Sequence, residues 1–255
     1  MMTRHYPAWF GILIPAALIA VWAFAGAVHA LPTYLPPLDV IFGKAAEMLS
    51  SGELFKHAVI SLYRAMAGFL IGSFFGVLMG LLAAAYRPID GFYEPLISLT
   101  YPVPKIAALP IIFAWFGLGN LSKIVVIFIS VFYPVYIAAN AGGKSTPRVL
   151  LWASQNMGAS KFMMLWRVLL PAALPQIFNG LRIGLALSFV VMFVAELVSS
   201  NEGLGYLVAF SEQNNRFDIM YVAVLTTALL GLAGDACLTA LGRRLLVGQH
   251  AGRGR

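Results

Sequence analysis

Residues 121–141 read LSKIVVIFISVFYPVYIAANA, an apolar run with one charge, Lys123, near its start. An α-helix needs about 20 consecutive apolar residues to cross the hydrocarbon core, whereas a tilted strand needs only about 9–11. Lipid cannot hydrogen-bond the backbone, so helices and closed barrels are the only spanning structures. The run is too long for a strand, and it predicts a membrane helix. The residues that follow complicate this. Residues 138–146, AANAGGKST, end like a phosphate-binding loop. Such a loop reads G-x-x-x-x-G-K-[ST] between a strand and a helix. Counting back from Gly143, the first glycine is due at position 138, which is alanine, and an apolar run stands where the strand belongs. The stretch is expected to be the flexible exit of the helix, and the chain is expected not to be an ATPase or any other enzyme.

Composition points the same way. The 255 residues are 60% hydrophobic and 11% charged, against about 25% charged in soluble domains. Cys237 is the single cysteine, so an intrachain disulfide and a cysteine metal cage are both excluded, and the four histidines have no ligand spacing. Six spans are expected in one domain covering 1–255: Ala8–Val28, Val59–Ala85, Pro95–Phe116, Leu121–Ala141, Ile177–Val198 and Ile219–Leu241. The fold class is therefore an all-α membrane bundle. Arg4, the first apolar run and Val28-His29-Ala30 also resemble a signal peptide, but that run exceeds the usual 7–15 residues; a retained helix is expected.

Lysine and arginine in the loops set the orientation. With the N-terminus inside, Arg4, Arg87, Lys144, Arg148, Lys161, Arg167, Arg243, Arg244, Arg253 and Arg255 fall inside, and Lys44, Lys56, Lys123 and Arg216 outside. Both termini are expected in the cytoplasm. The net charge of +7 follows from that asymmetry and requires no nucleic acid.

Three irregular stretches stand out. Between His29 and Lys56, Pro32, Pro36 and Pro37 predict an extended connector, and Asp39 can cap a short helix to Leu49. That element is either a lid on the bundle or a surface for an external partner. Pro102 and Pro104 should break the third span, as a kink or as the lining of a cavity. The inner loop 142–176 predicts two short helices. Thr146 caps the first, with Pro147 at its first position, and Gly158 turns left-handed at its end. Ser160 caps the second, Lys161–Leu170, which stops before Pro171 and Pro175. The apolar side chains of this knob suit either a docking surface or an amphipathic element on the lipid surface.

The loop also carries a family likeness. Gly158, nine residues, Val168, one residue and then Leu170-Pro171 reproduce G-x9-[IV]-x-L-P, which resembles the loop motif of inner-membrane permease subunits of bacterial ABC importers. Ile60-Ser61-Leu62-Tyr63-Arg64-Ala65 leading to Gly68-Phe69 is similar to that family too. So are Trp115-Phe116-Gly117-Leu118-Gly119 with Ser122-Lys123, and Ala195-Glu196 with Gly203-Leu204-Gly205-Tyr206. Together they resemble the nitrate, sulfonate and taurine branch. One departure is plain: the motif usually opens Glu-Ala-Ala, and here it reads Trp152-Ala153-Ser154.

The resemblance implies a division of labour. Two permease copies, here expected to be identical, form the pathway in the bacterial inner (plasma) membrane. Two ATPase subunits grip the loops, and an extracytoplasmic solute-binding protein delivers a small solute. This chain would bind no cofactor; ATP and Mg would sit on the ATPase. The coupling contact is expected at residues 147–171, through Leu151, Trp152, Ala153, Gly158, Ala159, Ser160, Phe162, Val168 and Pro171. Charges inside spans are costly and default to functional hypotheses, which makes Arg64, Lys105, Arg182 and Glu196 pathway candidates, with structural ion pairs as the alternative. Arg64 and Lys105 are also long enough to snorkel, Arg182 sits towards the inner surface, and Asp235 lies among small residues suited to close packing. An ion-gradient-driven secondary transporter is the main rival. Such folds pair broken helices across repeats, and here 116–120 against 203–206 is too short an echo. No paired catalytic set supports a membrane enzyme, and a non-transporting scaffold is the remaining alternative.

Overall fold

The computed structural model describes residues 10–246, with side chains from Leu13 onward. The start of the first expected span at residues 8 and 9, and the charges Arg4, Arg253 and Arg255, lie outside the described residues. Helices α1 (Phe10–Ala27), α2 (Leu38–Ser50), α3 (Glu53–Ala85) and α4 (Arg87–Thr100) come first. A 3₁₀ turn, Lys105–Ala108, then leads into α5 (Leu109–Phe116), α6 (Asn120–Lys144), α7 (Arg148–Asn156) and α8 (Lys161–Met164). A π turn, Leu165–Leu169, joins α8 to α9 (Leu170–Val198), followed by α10 (Leu204–Gln213) and α11 (Phe217–Leu246). Strands are absent among the described residues.

Four helical stretches are long and apolar enough to cross a membrane: Glu53–Ala85, Asn120–Lys144, Lys161–Val198 and Phe217–Leu246. The pair Arg87–Thr100 and Lys105–Phe116, bent by 87° at its break, is long and apolar enough only when taken together, as a broken span or a re-entrant loop. The break falls on Pro102 and Pro104 as expected, but the first arm starts at Arg87 rather than Pro95. Pro95 is accommodated inside α4. The first expected span is represented by a shorter apolar helix, Leu13–Ala27. It is anchored by the Trp22 indole, which donates to the Pro36 carbonyl at 3.1 Å and lies 5.6 Å from the Tyr221 ring. The second span begins at Glu53 and not Val59, because Gly52, at φ +76°, turns the chain directly from α2 into α3.

The core is three helices thick, with α6 in the middle. Val126, Ile127, Val131, Val135 and Ala139 of α6 are fully buried. Against them α3 sets Gly68, Gly72, Gly76 and Gly80, one glycine every fourth residue and therefore on one helix face. A Cβ at Gly80 would stand 2.6 Å from the Tyr136 carbonyl oxygen, and one at Gly72 would stand 2.8 Å from that of Phe128. On the other side, Gly180 and Gly184 of α9 meet Ala138 and Val131. Small residues let membrane helices approach until their backbones touch, where dispersion replaces the hydrophobic drive that lipid removes.

Several local expectations are corrected by the structure. AANAGGKST is no flexible exit: α6 runs through Lys144. Gly142 and Gly143 are buried because α9 and α3 approach them, with Ala173 and Ala84 in the space a side chain would take. Lys144 ends in an ion pair with Asp90 at 2.7 Å. Thr146 does not cap α7. Its hydroxyl turns back to the Gly142 carbonyl, and Pro147 holds the N-cap position. Asp39 lies in the first turn of α2, behind Pro37 at the cap. Finally, the second loop helix does not stop before Pro171 and Pro175. Proline lacks an amide and crowds the preceding turn, and a π turn is a way to absorb that within a continuous helix. Here the Leu170 amide bonds back to the Leu165 carbonyl, and one rod continues from Lys161 to Val198.

Candidate functional site: an ion-pair clasp and an elbow

Three of the family-like stretches converge at one end of the bundle. Arg64 of α3 and Glu196 of α9 are 2% and 1% exposed, with Arg64 Nη1 2.7 Å from Glu196 Oε1. Arg64 does not snorkel to the surface. Its Nε donates to Asn120 Oδ1 at 2.7 Å, and its other nitrogen, Nη2, lies 3.3 Å from Glu202 Oε1. Glu196 Oε2 accepts from the Ser61 hydroxyl at 2.7 Å and from the Gly205 amide at 3.0 Å. The Leu204 amide donates to Ser61 Oγ, and the Gly203 amide to His57 Nδ1.

The 203–206 turn thus wraps a carboxylate, and the glycines explain how. Gly203 has φ +113°, and a Cβ there would occupy the Glu196 carboxyl group. Gly205 would clash with the Phe193 carbonyl. A buried charge is tolerated only when paired and hydrogen-bonded, and here one ion pair ties α3, α6, α9 and α10 together. Next to it the Lys123 ammonium, buried, donates to the Leu118 and Gly119 carbonyls at 2.7 and 3.2 Å. Sequence reasoning had each residue type but not the partnership, since Arg64 and Glu196 are separated by 132 positions.

The other pathway candidates stand apart. Arg182 makes a two-point contact with Asp235 of α11, both distances 2.9 Å. Asp235, expected to aid helix packing, therefore holds a cation instead. Both side chains are about half exposed, at one end of an apolar groove of about 660 Å³ between α9 and α11. Lys105 lies in the break between α4 and α5. Its ammonium donates to the Thr100 and Tyr101 carbonyls and sits 4.4 Å from the Tyr133 ring centre. The structure brings Arg64 and Glu196 together; Lys105 and Arg182 join neither them nor each other.

At the opposite end α7 and α8 form the expected elbow. Gly158 has φ +78°, and its amide donates to the Gln155 carbonyl at 2.9 Å. Ser160 Oγ accepts from the Met163 amide at 3.2 Å, an N-cap. Ser160→Ala is expected to remove about 1 kcal/mol from the start of this rod. Faster amide hydrogen exchange at Met163, with none at α6, checks that.

Trp152, Met157 and Phe162 are 61%, 86% and 72% exposed, and Ala153 is exposed beside them. Ala159 is half-buried at the turn. Leu151, Val168 and Pro171 are half-buried, and Leu151 packs towards Leu165 and Leu169. The loop therefore divides into an inward face that holds it to the bundle and an outward aromatic one. Between α7 and the bundle lies an open cavity of about 640 Å³, with Arg87, Asp90, Lys144, Arg148 and Trp152 on its walls. No grouping of His, Cys, Asp and Glu among the described residues could hold a metal.

Comparison with known proteins agrees with this architecture. The family described as binding-protein-dependent transport system inner membrane component matches residues 72–247. The taurine transport system permease protein TauC of Escherichia coli K12 is 34% identical over 236 residues, covering 90% of this chain and 86% of that protein. The putative aliphatic sulfonates transport permease protein SsuC of Bacillus subtilis is 33% identical, covering 92% and 86%. Among solved structures, an inward-facing form of the MetNI methionine ABC transporter superposes with a TM-score of 0.54 at 22% identity. That match covers 76% of this chain and 96% of the other, and it shows the likeness of fold. With the bent span, the glycine-wrapped carboxylate and the elbow in place, the chain belongs to the inner-membrane components of binding-protein-dependent transport systems.

Proposed function

We propose that this chain is the pathway subunit of an ATP-driven importer for a small sulfonate-type solute, in the taurine, aliphatic sulfonate and nitrate class. Two identical copies form the pathway in the bacterial inner membrane with both termini in the cytoplasm. Two separate ATPase subunits, carrying ATP and Mg, dock on residues 147–171, and an external binding protein supplies the solute. Taurine and aliphatic sulfonates rest on the names of the relatives, and nitrate on the branch that the sequence motifs resemble. The docking assignment rests on one observation above all: Trp152, Met157 and Phe162 stand out from a capped, hydrogen-bonded turn. Exposed aromatic side chains on a rigid support make good anchors for a partner. Trp152 takes the place of the family's usual glutamate, so its contact is apolar rather than ionic.

Gly158→Val tests the coupling. A β-branched residue at positive φ is strained by about 1–2 kcal/mol, and the space around Gly158 is open. The chain should therefore still insert while the elbow changes direction. Expected is loss of solute-stimulated ATP hydrolysis by the assembled transporter with normal membrane levels of the chain. Normal stimulation would overturn the docking assignment, and absence of any co-purifying ATPase would return the secondary transporter and the scaffold to consideration.

A further inference from the structure

The break between α4 and α5 places irregular backbone beside the middle of α6, a helix long and apolar enough to cross a membrane. The Tyr133 hydroxyl donates to Thr100 Oγ1 at 2.9 Å, fixing the break to the middle of α6. Tyr133 is thirteen residues from Asn120 and eleven from Lys144 on that helix, about 20 and 16 Å at 1.5 Å per residue. Non-helical backbone at this depth is tolerated only where it is buried in protein or lines a water-filled cavity. Here Tyr101 and Val103 are about half exposed, and Pro102 and Pro104 are exposed as well. Lys105 is at the same point.

Its charge combines two features: like Lys123 it lacks a neighbouring carboxylate among the described residues, and it keeps an open face, which the buried Lys123 does not. Arg64 is neutralised by Glu196 and Arg182 by Asp235, and Lys123 is buried on two carbonyls. Among the described residues, Lys105 has no carboxylate within ion-pair distance. It is held by two carbonyl oxygens and by the Tyr101 and Tyr133 rings, 5.0 and 4.4 Å from the ring centres. Such contacts orient an ammonium without cancelling its charge. An unbalanced cation at mid-depth is too costly to face lipid. It is tolerable beside water and an anion.

We propose that this break lines the solute path, with Lys105 as a binding residue for an oxyanion such as a sulfonate and the Tyr101 and Tyr133 rings flanking the solute's apolar part. This rests on the pathway reading above. It adds the place and the sign of the charge recognised.

The test uses the whole transporter, expressed with its ATPase and binding protein in membranes. Val103→Cys is introduced after Cys237→Ser. Labelling is compared between the anionic sulfonatoethyl methanethiosulfonate and its cationic trimethylammonium analogue, each rate divided by that with a free thiol. Expected is an anion preference of at least about tenfold, as for a focused field, lost in Lys105→Gln and kept in Lys105→Arg. Taurine and ethanesulfonate uptake should fall at least about tenfold in Lys105→Gln and recover in Lys105→Arg. A Val103→Cys that neither reagent reaches would mean the break is covered, and would overturn the proposal. Equal labelling by both reagents, or a preference unaffected by Lys105→Gln, would overturn it as well. If wild-type membranes take up neither sulfonate while the Lys105-dependent preference persists, the solute class falls and the anion site stands. If uptake is normal in Lys105→Gln, the anion site falls and the importer reading stands.

Discussion

Glu196→Ala is expected to destabilise the protein by about 3–5 kcal/mol, because it leaves the Arg64 guanidinium buried without its nearest counter-charge. The mutation strips more than one bond. Ser61 and the Gly205 amide lose their acceptor, and each unsatisfied buried donor costs about 1–3 kcal/mol unless it relaxes to another partner. Glu202 cannot compensate fully, since its carboxylate is 39% exposed and lies 3.3 Å from Arg64 against 2.7 Å for Glu196. Thermal unfolding of the purified protein in detergent reads the loss directly. The combination Arg64→Met with Glu196→Met should be less damaging than either single change, since it removes both buried charges. A loss under about 1 kcal/mol for Glu196→Ala, the range of exposed pairs, would mean that the clasp is wet and does not hold the helices.

The second large effect comes from the glycine ladder of α3. Gly80→Ala adds one methyl group 2.6 Å from the Tyr136 carbonyl oxygen and 2.7 Å from Ala139 Cβ. The first of these is backbone in the middle of α6 and cannot rotate away. Overpacking costs about 1–3 kcal/mol where side chains can adjust. Here α3 and α6 must separate, so the upper end is expected, and Gly76→Val, aimed at Val135, should match it. Gly43→Ala in α2 provides the contrast. Nothing lies within 4 Å of a Cβ there, and the same substitution should stabilise by about 0.5–1 kcal/mol. Opposite signs for one chemical change, measured by unfolding in detergent, would assign the effect to helix approach. A neutral Gly80→Ala would refute the close packing of α3 on α6.

What could be read in the linear sequence was whatever depends on neighbours in the chain. The proline break, the left-handed Gly158 and the Ser160 cap are local chemistry, and each stands where it was expected. The apolar runs are helical as expected, but their helices begin earlier, at Glu53, Arg87 and Lys161, and the first is shorter. Contacts across helices were not legible. Arg64 and Glu196 were legible as charges inside spans, suited to solute contact or to structural pairs, but nothing in the sequence states that these two distant residues share a depth and a face. The four-residue spacing Gly68, Gly72, Gly76 and Gly80 was a signal in plain view, and it specifies a packing face. The stop expected at Pro171 failed for a subtler reason. A proline forbids one hydrogen bond but not the helix, provided the turn before it widens.

That widening leaves a single stiff beam from Lys161 to Val198. The elbow grips its lower tip, Glu196 is fixed near its upper tip, and about 50 Å of helix separates them. Gly180 sits near the midpoint, where Ala138, Pro134 and Val135 of α6 occupy the space a side chain would take. Gly142 against Ala173 and Gly184 against Val131 hold the beam to α6 on either side of that point as well. A force applied at the elbow would therefore be carried by α6 together with the beam, not by the beam alone.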